Sequence, residues 1–167
     1  MIEEHTLSML VNNKPGVLSR VAGVFSRQGY NIKTLCVAET EDSSISRITL
    51  TAEADTDFTD KIKKQLNKLV DVVEVSNFTG PRYVHREMML IGIPMKPQYR
   101  LEIMKAVEMF GCKIATMTPD IYVIEITGTP DETKAVLKYL EPFGVEEMNR
   151  TGIITVRRVK NHENGNQ

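Results

Sequence analysis

Five residues near the N terminus form a turn whose chemistry suits a small amino acid. Residues 12–16 read Asn-Asn-Lys-Pro-Gly and lie between a predicted strand and a predicted helix. The first N–H groups of a helix are unpaired and partly positive, and a glycine lets a ligand carboxylate approach them closely. An amino acid also needs acceptors for its ammonium group and a small apolar pocket. We therefore predict an effector site formed by Asn13, Gly16, Val17 and Leu18.

The same residues also fit an ordinary turn. Gly16 after Pro15 suits any tight connection between a strand and a helix, and the pattern alone favours that explanation. Asn13 also fits a helix cap or a turn asparagine. From the residues alone, both explanations of the turn stay open.

The first half of the chain is predicted to contain four strands and two helices. The first helix follows the turn and continues to about residue 28 with a stripe formed by Val17, Leu18, Val21, Ala22 and Phe25. The second helix begins near residue 56. The strands are expected at residues 6–11, 32–39, 45–52 and 72–78. This gives the order βαββαβ, which ends at Gly80-Pro81.

The second half restarts the same pattern, so that a repeat of about eighty residues covers the chain. Helices are expected at residues 98–110 and 130–140, and strands at residues 87–95, 112–118, 121–127, 145–148 and 153–159. Each half is predicted to be an antiparallel sheet with two helices on one face. The predicted fold class is α+β, with tandem ferredoxin-like βαββαβ units at residues 1–79 and 80–159 and a disordered tail at 160–167.

Composition excludes several classes of function. The 167 residues are 41% hydrophobic and 26% charged, which is typical of a soluble globular protein, and no apolar run reaches membrane-spanning length. The 21 basic and 22 acidic residues lack the positive excess that nucleic-acid binding requires. The acidic residues near the N terminus do not fit a targeting segment, so we expect a cytoplasmic location.

The chemistry-bearing residues do not form a catalytic or metal-binding pattern. His5, His85 and His162 are scattered, and the sequence offers no recognisable nucleophile with a base. Cys36 and Cys112 are far apart and have no CxxC partner, so we expect reduced thiols and no metal site. We therefore predict no catalytic residue, no metal and no cofactor in this chain.

Three blocks of sequence resemble one known family. The first block includes residues 13–20 (NKPGVLSR) and 25–32 (FSRQGYNI), and the others are residues 65–75 (QLNKLVDVVEV) and 86–91 (REMMLI). Together they resemble the small regulatory subunits of acetohydroxyacid synthase, also called acetolactate synthase, whose N-terminal part is an ACT domain. The resemblance spans nearly the whole chain, including a second half that most other ACT proteins lack.

The resemblance implies a site shared between two copies of the chain. In this family, effectors lie between two ACT domains, and the asparagine of the GYNI segment comes from the facing subunit. Asn31 and Ile32 occupy those positions here, although Asn31 also fits the start of a strand after the helix-ending Gly29. The second repeat has Pro-Met-Lys-Pro-Gln at residues 94–98 and Lys113 opposite Asn31, so no equivalent site is expected there.

The family also implies a function and a partner. The chain is expected to form a homodimer through its ACT domains, to activate a catalytic subunit and to confer feedback inhibition by valine or a related amino acid. The catalytic subunit would carry thiamine diphosphate, magnesium and FAD, and would condense pyruvate in branched-chain amino-acid biosynthesis. A free-standing ACT-type sensor that controls another enzyme or a transcription factor remains the alternative.

Overall fold

A computed structural model describes residues 2–158 and divides the chain into two compact units. The first unit contains the chain up to Val84 and again from Ile153, and the second contains His85–Gly152. The predicted disorder of residues 160–167 lies outside the described residues.

The first unit has the predicted βαββαβ order. Its elements are β1 (Glu3–Asn12), α1 (Val17–Arg27), β2 (Ile32–Glu39), β3 (Ile45–Ala54), α2 (Phe58–Leu66) and β4 (Val72–Asn77). The sheet has the order β2-β3-β1-β4, and every neighbouring pair is antiparallel. β1 is therefore central, while β2 and β4 form the two edges.

Both helices of this unit cover one face of the sheet. Leu7 lies opposite Leu50 and Met9 opposite Ile48 in the β1–β3 register, and all four side chains are buried. The buried helix residues are Val17, Val21, Val24 and Phe25 on α1, and Phe58, Ile62 and Leu66 on α2. Leu18, which the apolar stripe placed with them, is 41% exposed instead. Leu18 lies beside the buried face of the helix. Val24, which the predicted stripe did not include, faces the core.

The opposite face of the same sheet is rich in hydroxyl groups. Ser8, Thr49 and Thr51 are buried on this face, and the hydroxyls of Thr34 and Thr51 are 2.7 Å apart. Arg47 Nη1 donates to Ser8 Oγ at 2.9 Å. These bonds satisfy polar groups that would otherwise be costly to bury.

The second unit repeats both the order of elements and the sheet order of the first unit. Its elements are β5 (Tyr83–Pro94), α3 (Arg100–Met109), β6 (Lys113–Met117), β7 (Ile121–Gly128), α4 (Pro130–Leu140) and β8 (Glu147–Arg150). The order β6-β7-β5-β8 matches that of the first sheet, and the two units confirm the predicted α+β, tandem ferredoxin-like class. Short 3-10 helices occupy Pro97–Tyr99 and Glu141–Phe143. α3 therefore starts two residues later than predicted.

The last strand forms within the predicted residues 153–159 and contacts both units. β9 (Ile154–Arg157) pairs with β5 and thereby joins the second sheet as its fifth strand, although the chain from Ile153 onward groups with the first compact unit. The Arg157 guanidinium lies 5.4 Å from the centroid of the Phe78 ring, and the Arg158 N–H donates to the Arg82 carbonyl at 2.9 Å. These contacts explain why the chain returns to the first unit after Gly152.

Candidate functional site

The turn between β1 and α1 is built around a left-handed glycine. Gly16 has φ 81° and ψ −6°, a conformation that residues with a Cβ rarely adopt. A Cβ at this position would lie 3.1 Å from Arg20 Nη1, which is closer than ordinary contact distance. Backbone conformation and available space therefore both favour glycine here.

The N terminus of α1 is uncapped. No side chain accepts a hydrogen bond from its first turn, and the N–H groups of Leu18 and Ser19 have no acceptor among residues 2–158. The Arg20 N–H makes the first bond within the helix, to the Gly16 carbonyl at 3.0 Å. Because Leu18 and Ser19 are both exposed, their N–H groups can donate to an anionic ligand such as a carboxylate.

Asn13 ties the turn to the hairpin that joins β2 and β3. Its backbone N–H donates to the Ser44 carbonyl at 2.7 Å. Its side-chain Nδ2 donates to Glu39 Oε1 and to the Ser43 carbonyl, each at 2.9 Å. Both amide hydrogens are thereby used, and Oδ1 is left as an acceptor. Asn13 can therefore hold the turn in place and accept a bond from an ammonium group at once.

Asp71, immediately before β4, fixes the other side of the turn. Its backbone carbonyl accepts from the Asn12 N–H at 2.8 Å, and its carboxylate forms an ion pair with Arg20. The hydrogen bond from the Arg20 guanidinium holds the pKa of Asp71 below its ordinary value, and a bond from the Asn12 side chain and the nearby Lys14 charge add to this effect. The sequence gives no sign of this pair, because Arg20 and Asp71 are 51 residues apart and no local pattern links them.

The remaining predicted residues do not all lie at the turn. The side chain of Val17 is in the core, and its N–H donates to the Lys14 carbonyl at 3.3 Å. Asn31 is exposed and Ile32 is half-buried, and both lie beyond the C-terminal end of α1. Since α1 has 11 residues, it separates Gly16 from Asn31 by about 16 Å. Within one chain, Asn31 is therefore not part of the site at Gly16.

The corresponding turn of the second unit has a different conformation. Lys96 is extended, with φ −118° and ψ 120°, and Pro97–Tyr99 forms a 3-10 helix in front of α3. The Tyr99 N–H donates to the Lys96 carbonyl at 3.0 Å, and no glycine opens this turn. The absence of an amino-acid site in the second unit stays a prediction.

The remaining candidate groups in the described part of the chain are two thiols and scattered histidine and acidic side chains. Cys36 and Cys112 are free thiols, and burial raises the pKa of Cys112. Within residues 2–158, histidine, cysteine and acidic side chains form no cluster of three or more that could hold a metal ion. None of the helices described is both long and apolar enough to cross a membrane.

Two family models match this chain, one in each half. Residues 7–74 match the ACT domain described as AHAS small subunit-like, and residues 86–159 match the small subunit of acetolactate synthase.

Individual proteins and a solved structure match over nearly the full length. The acetolactate synthase small subunit of Mycolicibacterium smegmatis is 40% identical over 154 residues, which cover 92% of this chain and 91% of the relative. A probable acetolactate synthase small subunit of Archaeoglobus fulgidus is 39% identical over 155 residues, with coverage of 93% and 97%. The crystal structure of the acetolactate synthase small subunit of Thermotoga maritima has a TM-score of 0.88 and 38% identity, and the match covers 95% of this chain and 99% of that one.

The ion pair at the turn predicts a specific pH response. Because the pKa of Asp71 is depressed in the folded state, its stabilising effect is present above its unfolded pKa of about 3.9 and is lost as the pH falls through the lower folded value. Arg20→Gln should raise the Asp71 pKa toward its ordinary value in an NMR titration of the carboxyl groups. Glu132 is the internal control, because its pKa is lowered by hydrogen bonds from Thr129 in the second unit. An Asp71 titration that does not respond to Arg20→Gln would contradict this assignment.

Proposed function

Because the chain belongs to the family of acetolactate synthase small subunits, we propose that it activates the catalytic subunit of that enzyme and confers feedback inhibition by valine or a related branched-chain amino acid. The same membership makes the chain a regulatory subunit with a catalytic subunit as its partner. The match over residues 86–159 favours this function over that of a free-standing ACT sensor.

The observation that carries the effector proposal is the uncapped, glycine-opened start of α1. The effector carboxylate accepts hydrogen bonds from the N–H groups of Leu18 and Ser19, which have no acceptor in the described part of the chain. Its ammonium group donates to Oδ1 of Asn13, whose amide hydrogens are already engaged. The exposed side chain of Leu18 supplies an apolar contact for the effector side chain.

A second copy of the chain completes this site. Asn31 and Ile32 lie at the other end of α1, about 16 Å from Gly16, so they reach an effector only at the turn of a neighbouring copy. β2 supports such pairing because it is an edge strand whose Leu35 and Val37 side chains are exposed. Free strand edges with apolar side chains favour association with another chain.

Inhibition requires that the effector distinguish two arrangements of the dimer. A ligand shifts an equilibrium only by the difference between its affinities for the two states. We propose that valine favours the arrangement that activates the catalytic subunit less, and that the second unit transmits or tunes this response. Thiamine diphosphate, magnesium and FAD belong to the catalytic subunit in this proposal, and the condensation of pyruvate takes place there.

The first test is a substitution at the turn. Gly16→Asp adds backbone strain, a Cβ near Arg20 Nη1 and a negative charge beside the proposed carboxylate site. It should abolish valine inhibition of the reconstituted enzyme and leave activation of the catalytic subunit largely intact. Gly111→Asp is the matched control, because Gly111 is also left-handed, with φ 64°, and a Cβ there meets nothing within 4 Å. Unchanged valine sensitivity in Gly16→Asp would refute the assignment of this turn.

The second test asks whether two copies share one site. Gly16→Asp and Asn31→Ala should each lose valine binding as homodimers. A mixed dimer of the two variants, purified through two different tags, should regain one intact site, formed by the unaltered turn of one copy and the unaltered Asn31 of the other.

The control is a mixed dimer in which one chain carries both substitutions. A mixed dimer of the unaltered chain and a chain carrying both substitutions should have no intact site if the site is shared. Calorimetric titration of both mixed dimers with valine distinguishes a site shared between two chains from a site within one chain. If the control binds valine and the mixed dimer of single variants does not, the site lies within one chain and the proposal of a shared site fails.

A further inference from the structure

A second cleft lies in the first unit, on the sheet face opposite α1 and α2. Its volume is about 360 Å³, and it is lined by Arg47, Glu74, Phe78, Thr155, Val156 and Arg157. None of these residues belongs to the turn at Gly16. β9 contributes three of these residues, and its Arg157 contacts Glu74 and Ser76 on β4.

Three hydrogen-bond donors in this cleft have unused capacity. Arg47 donates from Nη1 to Ser8 Oγ, but no acidic group among residues 2–158 lies within 4 Å of its guanidinium. Within residues 2–158, the polar contacts of Arg157 are long, 3.4 Å to Ser76 Oγ and 3.8 Å to Glu74 Oε1. The hydroxyl of Thr155 is buried and has no partner in the described residues, and its residue is only 5% exposed. Buried hydroxyls are normally paired.

The arginines are held in position before any ligand arrives. The guanidinium of Arg157 lies over one face of the Phe78 ring, and the Tyr83 ring stacks on Phe78 with a centroid distance of 4.6 Å. The bond to Ser8 fixes the guanidinium of Arg47 against β1. Donors that are already ordered lose less conformational entropy when a ligand binds.

The charge of the cleft selects the chemistry of the ligand. Arg47 and Arg157 contribute two positive charges and Glu74 contributes one negative charge, so the lining is net positive. Guanidinium groups match the geometry of planar or tetrahedral oxyanions, and a hydroxyl can donate to the same group. We propose that this cleft binds a small oxyanion, a carboxylate or a phosphate, through Arg47, Arg157 and the Thr155 hydroxyl. The cleft is a second ligand site, independent of the proposed effector site.

Calorimetric titration of the full chain at constant ionic strength tests the proposal. Inorganic phosphate and butyrate serve as separate probes, and at least one should bind with a Kd in the millimolar range or below. Binding of phosphate alone identifies a phosphorylated ligand, and binding of butyrate alone identifies a carboxylate. Failure of both anions to bind at concentrations up to about 10 mM would overturn the proposal.

Three variants locate the binding. Arg47→Gln and Arg157→Gln should each weaken the Kd about tenfold or more, because each removes a charge-assisted contact. Thr155→Val should also weaken binding while leaving the thermal midpoint of the free chain unchanged or higher, since its hydroxyl has no partner to lose. Arg27→Gln is the control, because Arg27 is an exposed arginine on α1. Equal losses in Arg27→Gln and in the cleft variants would show non-specific attraction and overturn the proposal.

The same variants show whether the anion and valine bind at separate sites. Valine binding should persist in Thr155→Val, and anion binding should persist in Gly16→Asp. Loss of anion binding in Gly16→Asp would mean that the anion occupies the effector turn, which contradicts a second site. Absence of valine binding in the unaltered chain would count against the proposed function alone.

Discussion

The two open N–H groups at the start of α1, those of Leu18 and Ser19, are the feature on which the proposed effector site depends. They stay available because Gly16 enters the helix in a left-handed conformation and no side chain caps the first turn. Two contacts fix the turn from opposite sides, one from Asn13 to the β2–β3 hairpin and one from Asp71 to Arg20. The donors are thus presented by a rigid backbone, which reduces the ordering that a ligand must impose.

The length of α1 is the reason why the proposed effector site needs a second chain. α1 keeps Asn31 and Gly16 at its opposite ends, so a ligand at the turn meets Asn31 only through a neighbouring copy. The hairpin that accepts from Asn13 is also the connection between edge strand β2 and β3. An effector that alters the contacts of Asn13 therefore acts on a segment next to the proposed pairing edge. This proximity offers a physical route from ligand binding to the arrangement of the dimer.

The alternation of apolar residues in strands and their three-and-four spacing in helices predicted most elements correctly. Both patterns arise because each element buries one face in the core. Ile32–Glu39 and Pro130–Leu140 have the predicted bounds, and the repeated sheet order was implied by the repeated pattern. The grouping of β9 with the first unit was not predictable in this way, because its contacts there are with residues far away in the sequence. The Asp71–Arg20 pair and the Arg157–Phe78 contact were missed for the same reason, since each joins distant parts of the chain. The turn at Gly16 was predicted because Asn, Pro and Gly favour turns, and its role as an effector site stays a prediction.

The most direct test follows the backbone amides of the turn by two-dimensional ¹H–¹⁵N NMR during a valine titration. The amide signals of Leu18, Ser19 and Asn31 should move together with one binding curve, since all three contact one ligand in the proposed shared site. Signals at the start of α3, such as those of Arg100 and Leu101, should not move, because the second unit lacks the glycine-opened turn. Saturable valine binding that leaves the signals of Leu18 and Ser19 unchanged would show that the effector does not bind at this turn.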